Sequence, residues 1–158
     1  MNKVACLVRW PLLLLSLCLP AHGQRPSEVV KWTAITTNLT SNSSASVTLT
    51  AAISDGWHVY ALSQPPGGPT PLKISVPVGS PFVLKAPVQE AKVTRHMDSN
   101  FKMETVYYLK DVSFSLALQK DANAYSDSIP LDVRFQACND RLCLPPYTAH
   151  ITAKPKGK

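Results

Sequence analysis

Residues 131–146 read LDVRFQACNDRLCLPP, and two signals meet in them. The first half alternates, with Leu131, Val133, Phe135 and Ala137 set against Asp132, Arg134 and Gln136. Period two with one apolar and one polar side describes a half-buried β-strand. The second half holds Cys138 and Cys143, four residues between them, followed by Pro145 and Pro146. Continuing the alternation puts Cys138 opposite the core face, beside Arg134 and Gln136 and close to the surface.

The same rhythm recurs on both sides. SVTLTAAI (46–53) sets Val47, Leu49, Ala51 and Ile53 against Thr48, Thr50 and Ala52, and VSFSLALQ (112–119) sets Val112, Phe114, Leu116 and Leu118 against Ser113, Ser115, Ala117 and Gln119. EVVKWTAITT, WHVYA, LKISV, FVLKA and YTAHITA are further strand candidates. No window makes a convincing amphipathic helix, and short strands at this spacing predict an all-β, immunoglobulin-like sandwich. The proline-rich SQPPGGPTP (63–71) predicts a surface loop, because proline donates no ladder hydrogen bond. MDSNFKME (97–104) reads as a polar segment without alternation until Val106. NLTSNSSAS (38–46) is a polar turn containing two glycosylation-type triplets, at Asn38 and Asn42, which have no meaning in a bacterial protein.

The chain opens MNKVACLVRWPLLLLSLCLPAHGQ. Basic Lys3 and Arg9, the apolar run Leu12 to Leu19 and the small-residue stretch Ala21-His22-Gly23 predict a secretory signal over residues 1–23. The apolar run is shorter than the ~20 residues that span a bilayer. Residues 24–158 are then a single domain with no membrane anchor, and Cys6 and Cys18 leave with the leader. The net charge of +6 falls to +4 without the leader. The remaining basic residues are scattered apart from the terminal KPKGK, which argues against nucleic acid as a partner.

In an exported chain the two remaining cysteines can form a disulfide. The residues leave three uses open. A structural staple would be weak, because closing six residues is worth only ~2 kcal/mol by chain entropy. Strained or exposed disulfides are the labile ones, which favours a redox pair. A metal clamp is the third use: His150 has no accompanying CxxC or HxxxH, and Met97, Met103 and His96 would suit Cu(I) beside the thiols without any fixed spacing. No cofactor or metal is expected on the favoured reading. A thioredoxin site would need CxxC at a helix N-terminus, and a c-type haem CxxCH. Arg141 inside the cysteine loop favours a thiolate and Asp140 opposes it. Pro145 and Pro146 stop strand pairing after Cys143, leaving it open to a partner.

FQACNDRLCLPP resembles the active-site segment of the N-terminal domain of the bacterial thiol:disulfide interchange protein DsbD, the disulfide bond corrector family. DGWHVY (55–60), GGPTP and MDSNFKMETVYYLKDVSF (97–114) resemble other family segments in the same order, so the similarity spans Glu28 to about Ala153. The resemblance implies an immunoglobulin-like sandwich with the cysteines at one end and an oxidoreductase of the protein-disulfide reductase type. It implies a periplasmic domain that passes two electrons to periplasmic disulfide-containing proteins, supplied by a separate membrane-embedded or thioredoxin-like donor. By matched position, Cys143 attacks and Cys138 resolves. Phe101 is the cap-loop aromatic, Asp98 the cap-loop acid, His58 and Tyr60 flank the cysteines, and Tyr108 is the later tyrosine. A familiar member has five residues between its cysteines, a tyrosine where His58 stands, and its acid two residues before the aromatic. A non-catalytic binding module with a structural disulfide and a periplasmic copper-binding protein are the alternative readings.

Overall fold

The computed structural model describes residues 23–39, 44–89, 91–122 and 128–155. The leader up to His22, Asn42 and the last residues of the basic tail lie outside the described residues. The elements run α1 (Pro26–Val29), β1 (Val30–Leu39), β2 (Ser44–Ile53), β3 (His58–Tyr60), β4 (Lys73–Ser75), β5 (Phe82–Leu84), β6 (Thr94–Asp98), β7 (Met103–Tyr108), β8 (Asp111–Lys120), β9 (Ile129–Phe135), β10 (Ala137–Cys138) and β11 (Tyr147–Pro155). They form a seven-stranded sheet, in the order β4-β9-β11-β1-β2-β8-β5, and a four-stranded sheet, β10-β3-β7-β6. The expected all-β sandwich is the fold. No helix among the described residues is long and apolar enough to cross a membrane.

The alternating segments pair as their sequences require. β2 lies antiparallel between β1 and β8, with Leu49 opposite both Ala34 and Phe114. Val47, Leu49, Ala51, Phe114, Leu116 and Leu118 are buried, while the hydroxyls of Thr50 and Ser113 meet at 2.9 Å on the other face. β1 and β11 run parallel, and the remaining pairs are antiparallel. Trp32, Phe114, Phe135 and Tyr108 form a connected ring cluster within the core, with Tyr108 edge-on to Phe114 at 5.3 Å between centroids.

Three local expectations are corrected. The segment starting at Glu28 begins with a helical turn before β1, because Pro26 suits the first turn and the Glu28 carboxylate accepts from the Arg25 amide. The polar segment 97–104 is not irregular but forms the turn and inner ends of the β6–β7 hairpin. Thr94 to Met97 are all exposed, so no apolar alternation marks β6. Cys138 lies opposite the core face but not at the surface, being 0% exposed. The chain leaves the seven-stranded sheet at Phe135, crosses at Gln136 and enters the four-stranded sheet as β10. There Ala137 pairs with Val59 toward the core, and Cys138 pairs with His58 on the other face.

Candidate functional site at the cysteine loop

The site is assembled on the outer face of the four-stranded sheet. The turn before β3 is closed by the Trp57 amide donating to the Ser54 carbonyl at 3.1 Å, with Gly56 at φ +78°, a conformation that favours glycine. It sends Trp57 and Val59 into the core and leaves His58 and Tyr60 on the opposite face. Tyr60 pairs with Tyr107 on β7, and Val59 pairs with Tyr108. Directly paired residues share a face, so Tyr107 joins the site and Tyr108 joins the core. His58 meets Tyr107 at 4.5 Å between ring centroids and Tyr60 edge-on at 5.1 Å. Of the flanking and cap-loop residues that the resemblance names, Tyr108 lies in the core and not on the face of the cysteines.

Cys138 and Cys143 form a disulfide, with Cα atoms 4.1 Å apart. They are the ends of a miniature hairpin: the Asn139 amide donates to the Leu142 carbonyl and the Leu144 amide to the Ala137 carbonyl, both at 2.9 Å. Pairing therefore runs one residue past Cys143 before Pro145 and Pro146 end it. The Asn139 side-chain oxygen accepts from the Arg141 and Leu142 amides, each at 2.9 Å, and shapes the turn. Cys143 keeps partial exposure while Cys138 has none. Gln136 braces the base: its side chain accepts from the Thr70 amide at 3.1 Å and donates to the Leu144 carbonyl at 3.4 Å. The proline-rich loop is thereby tied to the cysteine loop.

The β6–β7 turn covers this hairpin. Asp98, 5% exposed, is its hub. Its Oδ1 accepts from the amides of Asn100 at 2.8 Å and Phe101 at 3.2 Å, and its Oδ2 accepts from the Tyr60 hydroxyl at 2.6 Å and the buried Thr105 hydroxyl at 3.4 Å. Lys102 takes φ +55° to complete the turn. Phe101 rests edge-on against Tyr60 at 5.8 Å, and the Asn100 side chain donates to the Asn139 carbonyl at 3.3 Å. The Tyr60 hydroxyl lies 3.8 Å from Cys143 Sγ. Phe101 thus reaches the disulfide region through Tyr60.

Burial sets the protonation states. It raises the Tyr60 phenol well above its ordinary value, helped by the hydrogen bond and the charge of Asp98, so Tyr60 stays protonated. Burial works to raise the Asp98 carboxyl as well, but the hydrogen bonds from Tyr60, Asn100 and Phe101 and the nearby His58 outweigh it, and the net direction is down. Burial lowers His58 below its ordinary 6.5, against the pull of Asp98 and Asp140 and with help from His96. Tyr107 is raised, by burial first and then by Asp140 and Asp98. His58 Nε2 is buried, has no hydrogen-bond partner, and lies 4.0 Å from Asp98 Oδ2. The His58 side chain also lines a cavity of about 240 Å³ bounded by Tyr107, Asn139 and Asp140.

Sequence reasoning set Tyr107 aside in favour of Tyr108 and gave no role to Gln136, Asn139 or Thr105. The pairing of β7 with β3 would have found Tyr107. Asn139 sits just inside the cysteine loop, where a side-chain turn is common. Nothing in the sequence marks Gln136 or Thr105. His150, a candidate metal ligand, pairs with Asp132 at 2.7 Å on β9 and β11 instead.

Two solved structures resemble the fold. The N-terminal periplasmic domain of ScsB from Proteus mirabilis is 19% identical with a TM-score of 0.56, over 80% of this chain and 48% of that one, so the chain spans about half its length. The N-terminal domain of DsbD from Neisseria meningitidis, in its reduced form, is 16% identical with a TM-score of 0.53, over 85% of this chain and 91% of that one. No curated protein matches the sequence. The family model described as "Thiol:disulfide interchange protein DsbD, N-terminal" matches residues 26–155, and the chain belongs to that family.

Proposed function

We propose that this protein is an exported, periplasmic dithiol–disulfide exchanger of the protein-disulfide reductase type. Two electrons enter from a membrane-embedded or thioredoxin-like donor and leave to disulfide-containing proteins of the periplasm. Cys143 attacks and Cys138 resolves. The observation that carries this reading is the asymmetry of the pair: Cys138 is fully buried, while Cys143 is partly exposed beside the Tyr60 hydroxyl. An attacking sulfur must be reachable by a partner, and a resolving sulfur need only reach its neighbour. The Cys138→Ala protein, reduced and mixed with a disulfide-bearing partner, is expected to accumulate a mixed disulfide through Cys143. Accumulation in Cys143→Ala instead would reverse the roles, and trapping in neither would remove the reading.

On this proposal Phe101 and its turn act as a cover that a docking partner displaces. An edge-to-face aromatic pair is worth about 1 kcal/mol, so losing the contact with Tyr60 raises the uncovered population about fivefold. Phe101→Ala is therefore expected to speed reduction by glutathione about fivefold and to change reduction by the protein donor much less. The stability read from urea unfolding should fall by about 1 kcal/mol, well short of a core phenylalanine. An unchanged glutathione rate would make Phe101 a packing residue only.

A further inference from the structure

We propose that His58 is the terminal proton station of the exchange site, taking through Asp98 and Tyr60 the proton that Cys143 releases. The proposal rests on the exchange reading above and adds a positioning residue to it. Three groups stand in line from the sulfur: the Tyr60 hydroxyl 3.8 Å from Cys143 Sγ, Asp98 Oδ2 2.6 Å from that hydroxyl, and His58 Nε2 4.0 Å from the same carboxylate oxygen. The imidazole nitrogen is buried and unpartnered, which is costly unless the atom has a use. The rings of Tyr60 and Tyr107 hold the imidazole from two sides. His58 also pairs across the strands with Cys138, so the imidazole belongs to the same side of the sheet as the disulfide.

The charges balance along this line. In the reduced protein the Cys143 thiol passes its proton to the Tyr60 oxygen as the Tyr60 proton moves to Asp98, and Asp98 hands it to His58 when the 4.0 Å gap between them closes to hydrogen-bond distance. A neutral thiol and a neutral imidazole become a thiolate and an imidazolium, while Tyr60 ends neutral and Asp98 ends anionic. The thiolate then attacks a partner disulfide, forming the Cys143–partner bond and expelling the partner's other sulfur as a thiolate, which takes up a proton. Attack by Cys138 on Cys143, with the Cys138 thiol proton passing to the departing partner sulfur, releases the partner as a dithiol and leaves the internal disulfide. The proton held on His58 balances, through water, the one taken up by the first partner thiolate, and the imidazole is neutral again. The electron pair goes to the partner, which is the oxidant.

The groups that face His58 make both protonation states accessible. Burial and His96 on β6 disfavour the imidazolium; Asp98 on β6 and Asp140 in the cysteine loop favour it. Tyr60 on β3 and Tyr107 on β7 stay protonated and neutral at physiological pH. His58 is therefore neutral at neutral pH and ready to accept a proton. The adjoining cavity, which Asn139 and Asp140 also line, gives that proton a way to exchange with water.

The test is the pH dependence, from pH 5 to 9, of the second-order rate of the reduced protein with Ellman's reagent, in wild type, His58→Gln and His58→Tyr. His58→Tyr keeps an aromatic ring against Tyr107 but holds its proton throughout this range. Wild type is expected to show two inflections, one of them below 6.5, and each variant one. At pH 7 the variants should be slower by about tenfold, less than the roughly 100-fold at which direct base catalysis begins. A single inflection in wild type, or a wild-type profile in His58→Tyr, overturns the proposal and leaves the exchange reading intact. Cys143→Ala separates the two: if it reacts as fast as wild type, the exchange reading itself fails.

Discussion

Asp98→Ala is expected to destabilise the protein by about 3 kcal/mol and to disable the exchange site at the same time. Four hydrogen bonds converge on this carboxylate, and bonds to a charged group contribute roughly 1.5–3 kcal/mol each where water does not replace them. Water can reach the Asn100 amide, which belongs to an exposed residue, but Tyr60 and Thr105 are both 0% exposed. Leaving those two hydroxyls without their acceptor accounts for most of the loss. The turn that carries Phe101 loses its organising group as well, so the cover opens. The pH dependence gives the sign. The folded-state pKa of Asp98 is depressed, so its stabilisation is present above the unfolded value near 3.9 and is lost as pH falls through the folded value. The gap between wild type and Asp98→Ala should be full at pH 7 and narrow below about pH 4. Asp98→Asn, which keeps an acceptor for Tyr60 but no charge, should fall between the two. Urea unfolding at pH 7 and at pH 3 checks this, and a gap that does not narrow with acid would mean that the carboxylate acts by shape rather than by charge.

The long strands were legible because one of their faces is greasy. In β2, β8 and β9 every second residue is buried, and each such sequence has one register that works. The β6–β7 hairpin carried no such mark. Four of the five residues of β6 are exposed, the strand lies at a sheet edge, and its turn closes on Asp98 and a left-handed Lys102 without glycine. The facing of Cys138 was also legible, and its burial was not. Alternation tells which side of a strand a residue takes but not whether another segment lies on that side. Here the segment on that side is the cap loop, whose pairing as the β6–β7 hairpin the sequence did not mark. The placing of Tyr108 beside the cysteines failed for a related reason. Which of the two adjacent tyrosines faces Tyr60 is decided by the pairing of β7 with β3. The hub role of Asp98 depends on its distances to Tyr60, Thr105 and the turn amides, groups up to 38 residues from it in sequence. Family resemblance named Cys138, Cys143, Asp98, Phe101, His58 and Tyr60, while Tyr107, Thr105, Gln136 and Asn139, and the bonds that join all of these, follow only from the fold.

Phe135→Ala should produce a stability loss as large as that of Asp98→Ala, about 3–5 kcal/mol, with little effect on exchange. The ring is 0% exposed and packs against Trp32 at 5.7 Å and edge-on to Tyr147 at 6.0 Å between centroids. It is the last residue of β9, paired with Tyr147 where β11 begins, immediately before the chain crosses between sheets. Removing it leaves a cavity between Trp32 and the β9–β11 pair, whose backbone bonds hinder collapse. For a chain of this size the loss corresponds to a fall in Tm of roughly 10–15 °C. None of its ring contacts is to His58, Tyr60, Asp98 or the cysteines, and those groups are held on the four-stranded sheet by their own bonds. At a temperature where the variant is fully folded, its rate with a disulfide partner should stay within about twofold of wild type, the range left by effects of a few tenths of a kcal/mol. Thermal unfolding and the exchange rate at 10 °C are the two measurements. A fall in exchange rate parallel to the loss of stability would show that the cysteine loop is positioned through the crossing at Phe135. In that case the seven-stranded sheet, and not only the β6–β7 turn, would set the reactivity of the pair.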